Sequence, residues 1–137
     1  MNDLFTKEIT NFFKENVKSS IFEKYPIFLC RNDGVFIFFK GDGISENDRS
    51  SIGALMGGAW QAAEAMADFI PGKASGTFSF SFGTSIKGLH VLPVFINKQV
   101  YYLGSIFYDE INPGVVKSKL RILHLKLNHF IKEHIKN

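Results

Sequence analysis

Two neighbouring runs, Tyr25–Arg31 (YPIFLCR) and Val35–Lys40 (VFIFFK), are apolar on both of their alternating faces. In the first, Ile27 and Leu29 oppose Phe28 and Cys30. In the second, Val35, Ile37 and Phe39 oppose Phe36 and Phe38. A strand wetted on one side alternates polar with apolar residues, and these strands do not. Asn32-Asp33-Gly34 between them is a strong hairpin signal. Such a hairpin needs apolar cover above and below, so the chain must supply helices for both sides of a sheet. Gln99–Asp109 repeats the pattern, with Tyr101, Leu103 and Phe107 opposing Tyr102, Ile106 and Tyr108. The 15 Phe residues fit a sheet buried on both faces.

Three segments have helical periodicity. In residues 3–22, Phe5, Ile9, Phe12, Phe13, Val17 and Ile21 recur at three- and four-residue steps, with Asp3 as the expected N-cap. The second runs from Glu46 to Ile70. Ser45 and Asp48 open it as a capping box with the shorter acid, and Pro71-Gly72 closes it. Ile52, Leu55, Met56, Ala59, Ala63, Met66 and Ile70 form its expected core side, widened by Trp60 and Phe69. The other side is small, then polar: Ser50, Gly53, Ala54, Gly57, Gln61, Glu64, Ala65 and Asp68. A helical glycine costs about 1 kcal/mol relative to alanine, so Gly53, Gly57 and Gly58 ask for a reason. One reason is close approach by another backbone, most simply a partner's helix; the other is a solvated face that tolerates small residues. The third helix follows Asn112-Pro113, an N-cap and first-turn proline, and runs to about Glu133. Its buried stripe is Val116, Leu120, Leu123, Leu127 and Phe130.

Two further strands complete the order. Gly76–Gly83 (GTFSFSFG) alternates Thr77, Ser79 and Ser81 with Phe78, Phe80 and Phe82. It is uncharged and would aggregate as a free edge, so it is either interior or paired by something else. Leu89–Ile96 pairs with Gln99–Asp109 around Asn97-Lys98. Pro93 within it implies a bulge or an unpaired position. The 137 residues form a single domain of α+β type, ordered helix, two strands, helix, three strands, helix.

The lone cysteine, Cys30, excludes an internal disulfide framework and fits a reducing compartment. The opening residues lack the order of a signal peptide, and no apolar run is long enough to span a bilayer, so a cytoplasmic location is expected. Charge is uneven. Residues 1–112 hold 10 Lys/Arg and 12 Asp/Glu; residues 113–137 hold 6 Lys/Arg and 1 Glu. That basic end suits an acidic partner, nucleic acid or an anionic membrane, but more often such a run is the wet side of a helix.

The element order, the length and the SIGALMGGAWQAAEAMADF stretch resemble the Roadblock/LC7 family, whose fold is related to longin and profilin domains. The resemblance covers nearly the whole chain. It implies a five-stranded, mainly antiparallel sheet with the central helix alone on one face and the terminal helices on the other. It implies a dimer, with itself or with a paralogous subunit, in which central helices lie side by side and third strands meet edge to edge. Gly53, Ala54, Gly57 and Gln61 would then sit at the helix pairing, and Thr77, Phe78, Ser79, Phe80 and Ser81 at the strand pairing. Gly57→Leu would be expected to disrupt that dimer without unfolding the monomer. Members are adaptors or regulators of small Ras-like GTPases, or dynein light chains; bacterial ones partner a polarity or motility GTPase. Gln61, Glu64 and Asp68 are the implied partner-binding residues.

No GxxxxGK[ST] phosphate loop, HExxH pair or GxSxG elbow occurs. Nucleophile, base and oxyanion donors are nowhere assembled, so the chain is expected not to be an enzyme and to need no cofactor or metal. Aromatics do not interleave with the C-terminal lysines, which argues against nucleic acid. The competing reading is a PAS- or GAF-like small-molecule sensor, with phenylalanines lining a cavity between helix and sheet.

Overall fold

The structure, a computed structural model, describes residues 3–72, 80–83, 87–108 and 111–135. Its elements are α1 (Asp3–Val17), β1 (Ile27–Arg31), β2 (Phe36–Lys40), α2 (Glu46–Ala67), β3 (Phe80–Gly83), β4 (Lys87–Ile96), β5 (Gln99–Tyr108) and α3 (Pro113–His134). A single 3-10 turn, Ile21–Glu23, lies between α1 and β1. The sheet is antiparallel at every junction rather than mainly so, in the order β2-β1-β5-β4-β3.

The two-sided strands are inside, as their pattern requires. On one face Ile27, Leu29, Val94, Ile96, Tyr101 and Leu103 meet α1 and α3. Those helices contribute Ile9, Phe12, Phe13 and Val17, then Leu120, Leu123, Leu127 and Ile131. On the other face Phe28, Cys30, Leu89, Val91 and Tyr102 meet α2 through Met56, with Ile52 and Trp60 at the rim. The first cluster is the larger and holds most of the buried side chains.

Local chemistry sets the turns. Gly34, at φ +90°, closes the β1–β2 hairpin, and the Asp33 carboxylate accepts from the Arg31 guanidinium and from the Val35 amide at 3.2 Å. Asn97 and Lys98, both at positive φ, make the two-residue turn between β4 and β5. The Ser45 hydroxyl accepts from the Asp48 amide at 3.1 Å to start α2, and Asn112 Oδ1 accepts from the Gly114 amide at 2.8 Å to start α3.

Several expectations are corrected. Helix α1 begins at Asp3, which is therefore helical rather than the N-cap, and stops at Val17. There Ser19 takes φ +60° and Ser20 caps the short turn that follows. Helix α2 ends at Ala67, because Asp68, Phe69 and Ile70 donate to carbonyls three residues back as the chain tightens ahead of Pro71. Pro93 makes no bulge: it pairs with Tyr102 within an unbroken β4–β5 register. The described part of β3 ends at Phe80, opposite Val91, and the Pro93 carbonyl is free to accept from His124 Nε2 at 2.7 Å. A missing amide on that side removes no described ladder bond. Within Gly76–Gly83 the described strand is Phe80–Gly83; Thr77, Phe78 and Ser79 lie outside the described residues.

The largest correction concerns the rotation of α2. Gly53, Met56, Gly57 and Ala67 are its buried positions, while Leu55, Met66, Phe69 and Ile70 are exposed. The core side is thus turned by roughly one residue step, about 100°, from the expected stripe. The backbone that comes close to the glycines belongs to the same chain. A methyl on Gly53 would overlap the Gly34 carbonyl oxygen, and one on Gly57 would come within 3.2 Å of the Asp33 carbonyl oxygen. A leucine at Gly57 would therefore strike the chain's own hairpin before it reached any partner. Gly58, by contrast, faces open space.

This contrast predicts opposite outcomes for two equivalent changes. In urea titrations Gly53→Ala should destabilise the domain by about 2 kcal/mol, because a backbone carbonyl cannot yield. Gly58→Ala should stabilise it by up to about 1 kcal/mol through helix propensity. Equal shifts for the two would refute the intrachain notch.

Candidate interaction surface

With Gly53, Met56, Gly57 and Ala67 turned to the sheet, the outward side of α2 reads Ala54, Leu55, Gly58, Gln61, Ala62, Ala65 and Met66, all exposed. Phe69, just beyond the helix, is 88% exposed, and Leu55 72%. Large apolar side chains this open, in line with small ones, form a contiguous apolar strip rather than scattered exposure. Along its flank stand Glu64 and Asp68, and the first turn carries Glu46 and Asp48, so the strip lies within an acidic surface. The described cation on this helix, Arg49, is turned inward over the Phe39 ring and donates to the Gly41 carbonyl at 3.3 Å.

Strand β3 is the last in the sheet order. Its far side has no neighbour among the described residues, so its outward amides and carbonyls form an open edge there. Ser81 is exposed on it. The structure therefore brings Ala54, Gln61, Glu64 and Asp68 onto one accessible side and leaves Ser81 and the Phe80 backbone at the edge. It withdraws Gly53 and Gly57 into an internal contact. Leu55, Met66 and Phe69 were read as core. The signal that would have exposed them was the glycines themselves: placed against the sheet, they turn Leu55 and Met66 out.

Between the first half of α2 and the ends of β4 and β5 lies an apolar groove of about 740 Å³, bordered by Ile52, Met56, Leu89, Ile106 and Tyr108. Among the described residues no group of three or more His, Cys, Asp or Glu side chains is placed to hold a metal. Cys30 is fully buried; burial first, and the Asp33 charge second, push its thiol up to about 12, so it is protonated and unreactive at neutral pH. Trp60 is half-buried and packs at the rim of the α2 core. On α3, His129 lies 3.2 Å from Glu133 and His134 packs on the Phe130 ring, both at the surface. His90 departs from that pattern. It is buried on the α3 side of the sheet, and neither ring nitrogen has a hydrogen-bond partner among the described residues.

No protein-family model matches this sequence, and no curated protein sequence matches it. Solved structures do. MglB of Myxococcus xanthus superposes with a TM-score of 0.73 at 17% identity, over 100% of this chain and 97% of that one. The chain has the Roadblock/LC7 fold. The gliding protein MglB of Thermus thermophilus aligns at TM-score 0.69 and 16% identity, covering 97% of this chain and 95% of its own. A Roadblock/LC7 domain from Streptomyces avermitilis aligns at 0.60 and 13%, over 78% and 84%. Within the Roadblock fold the single long helix between β2 and β3 accounts for the element order, and the PAS or GAF architecture is not needed to frame the groove beneath it.

The orphan imidazole in this fold has a measurable consequence. Desolvation first, then Lys117 and Arg121, hold His90 below its ordinary 6.5. The unfolded chain therefore takes up a proton that the folded chain refuses, and stability falls as pH drops below about 6.5. Urea unfolding at pH 7.5 and 5.5 should show this loss. His90→Gln should shrink it; an unchanged difference would remove His90 as its source.

Proposed function

We propose that this chain is a non-enzymatic interaction module. It pairs with a second copy or a paralogous subunit through the outward side of α2 and the β3 edge. As a dimer it binds and regulates a small Ras-like GTPase of the polarity or motility type. The observation that carries the reading is the exposed strip Leu55–Met66–Phe69, set among Ala54, Gly58, Ala62 and Ala65, together with the β3 edge, which has no neighbour among the described residues. Small residues let a second helix approach closely, and the large ones supply apolar area at the margins. Helix and edge together can remove on the order of 1,500 Å² from water, the size of a stable interface. Strand pairing across the edge would satisfy amides that otherwise face solvent. The likeness to MglB, one of whose structures is named for gliding, supports the motility half of the reading. Gln61, Glu64 and Asp68 flank the strip, remain accessible and give the partner side its acidic character. A module of this kind acts by repositioning the GTPase's own groups.

Light scattering after size exclusion should report a dimer at micromolar concentration. Leu55→Asp combined with Met66→Asp should raise the dissociation constant at least a hundredfold while leaving the melting temperature of the monomer close to the parent's, since both side chains stand in solvent. A strict monomer at high concentration would end the proposal.

The partner reading is tested with purified small Ras-like GTPases of the polarity or motility type. One of them should bind in its GTP-loaded form. Glu64→Lys with Asp68→Lys should weaken that binding about tenfold or more without altering the dimer. Failure of every such GTPase to bind in either nucleotide state would leave the dimer standing and remove the partner.

A further inference from the structure

We propose that the outward face of α3 docks the protein on anionic lipid surfaces. The face lies across the sheet from α2, and the proposal does not rest on the GTPase reading. Ser118, Ile122, Leu125, His129 and Lys132 recur every three or four residues and are all exposed, so they form one line along the crown of the helix. Leu125 is 64% exposed, Ile122 48% and Val115 42%. Lys119 and Lys126 stand on one flank of that line and Arg121 on the other, all exposed, with Lys117 half-buried beside Arg121. Helix α3 carries five Lys/Arg and a single Glu, whereas α2 carries three acids and one Arg. The two helical layers are therefore oppositely charged. The acids that face the α3 crown are few. Glu133 is within 3.2 Å of His129, and Glu8 and Glu15 of α1 border the groove between α1 and α3.

The arrangement favours a bilayer over other polyanions. Ile122 and Leu125 stand out into solvent from the helix, Leu125 also bordering the groove between α1 and α3. An acidic protein would need a matching hollow for them, and a nucleic acid would set them against phosphates. A lipid surface yields to them. The apolar side chains sink to the level of the headgroups and upper acyl chains, while lysine stems reach sideways to lipid phosphates. No described helix is long and apolar enough to cross a membrane, so the contact is peripheral. Each cation near such a surface contributes roughly a fivefold gain in partition, and four give a usable affinity only when joined to buried apolar area.

The test uses the full chain with vesicles of phosphatidylcholine alone and with roughly 30 mol% phosphatidylglycerol, read by co-sedimentation at low and physiological salt. The protein should pellet with the anionic vesicles and stay in solution with the neutral ones. Lys119→Glu with Lys126→Glu should reduce partition more than tenfold. Ile122→Gln with Leu125→Gln should reduce it about tenfold at unchanged thermal stability, and should remove the blue shift of a fluorophore placed at position 118. No binding to anionic vesicles, or equal binding to neutral ones, would overturn the proposal. So would full binding by the Gln double variant, which would mark a charge-only face suited to an acidic protein.

Discussion

Everything in this fold depends on how closely α2 approaches the β1–β2 hairpin. Gly34 and Gly53 face each other without side chains, and Gly57 sits beside the Asp33 carbonyl. That contact lets a helix of 22 residues lie on a sheet whose rim is crowded with Phe28, Phe36 and Phe39. It also sets the helix's rotation. Once the glycine line is pressed inward, Met56 is the side chain that reaches Phe28 and Tyr102, and Leu55 and Met66 must point outward. An internal packing requirement thus creates the external apolar strip.

The two sides of the sheet are built differently, and the difference is physical. The α1/α3 side is closed by interdigitated branched and aromatic residues, with Phe13 stacked on Phe38 at 4.4 Å between ring centres. It gains its stability within one chain. The α2 side buries less, carries acidic flanks and keeps large apolar residues in solvent. The opposite charges of the two layers further mean that a partner drawn to one is repelled by the other.

Much of this was readable from residue order. Apolar residues on both faces of Tyr25–Arg31 and Gln99–Asp109 required cover on both sides, and α1, α2 and α3 supply it. The caps Ser45 and Asn112 placed the starts of α2 and α3. The hairpin at Asn32-Asp33-Gly34 and the one at Asn97-Lys98 were local signals and formed locally. Of the two readings open for the glycines, close backbone approach holds at Gly53 and Gly57, where the backbone is the chain's own hairpin, and open space holds at Gly58. In a helical wheel Leu55 and Met66 outweigh glycine, because hydrophobicity registers and the absence of a side chain does not. At Pro93 the expected bulge does not form, because the β4–β5 register runs unbroken through it; the β3 position that would face it lies outside the described residues. Thr77, Phe78 and Ser79 lie outside the described residues and contribute nothing to this comparison.

By itself the sequence determined the class of fold, the element order and the two-sided burial of the central strands. Each of these follows from a period or a turn that spans a few residues. Only the tertiary structure decided which face of α2 is inside and which strand is left at the edge. It also decided that His90 would be enclosed without a hydrogen-bond partner among the described residues, and that the Cys30 thiol would be buried and protonated. Those outcomes depend on contacts between segments far apart in the chain, where shape and the space left by absent side chains outweigh the hydrophobicity of any one segment.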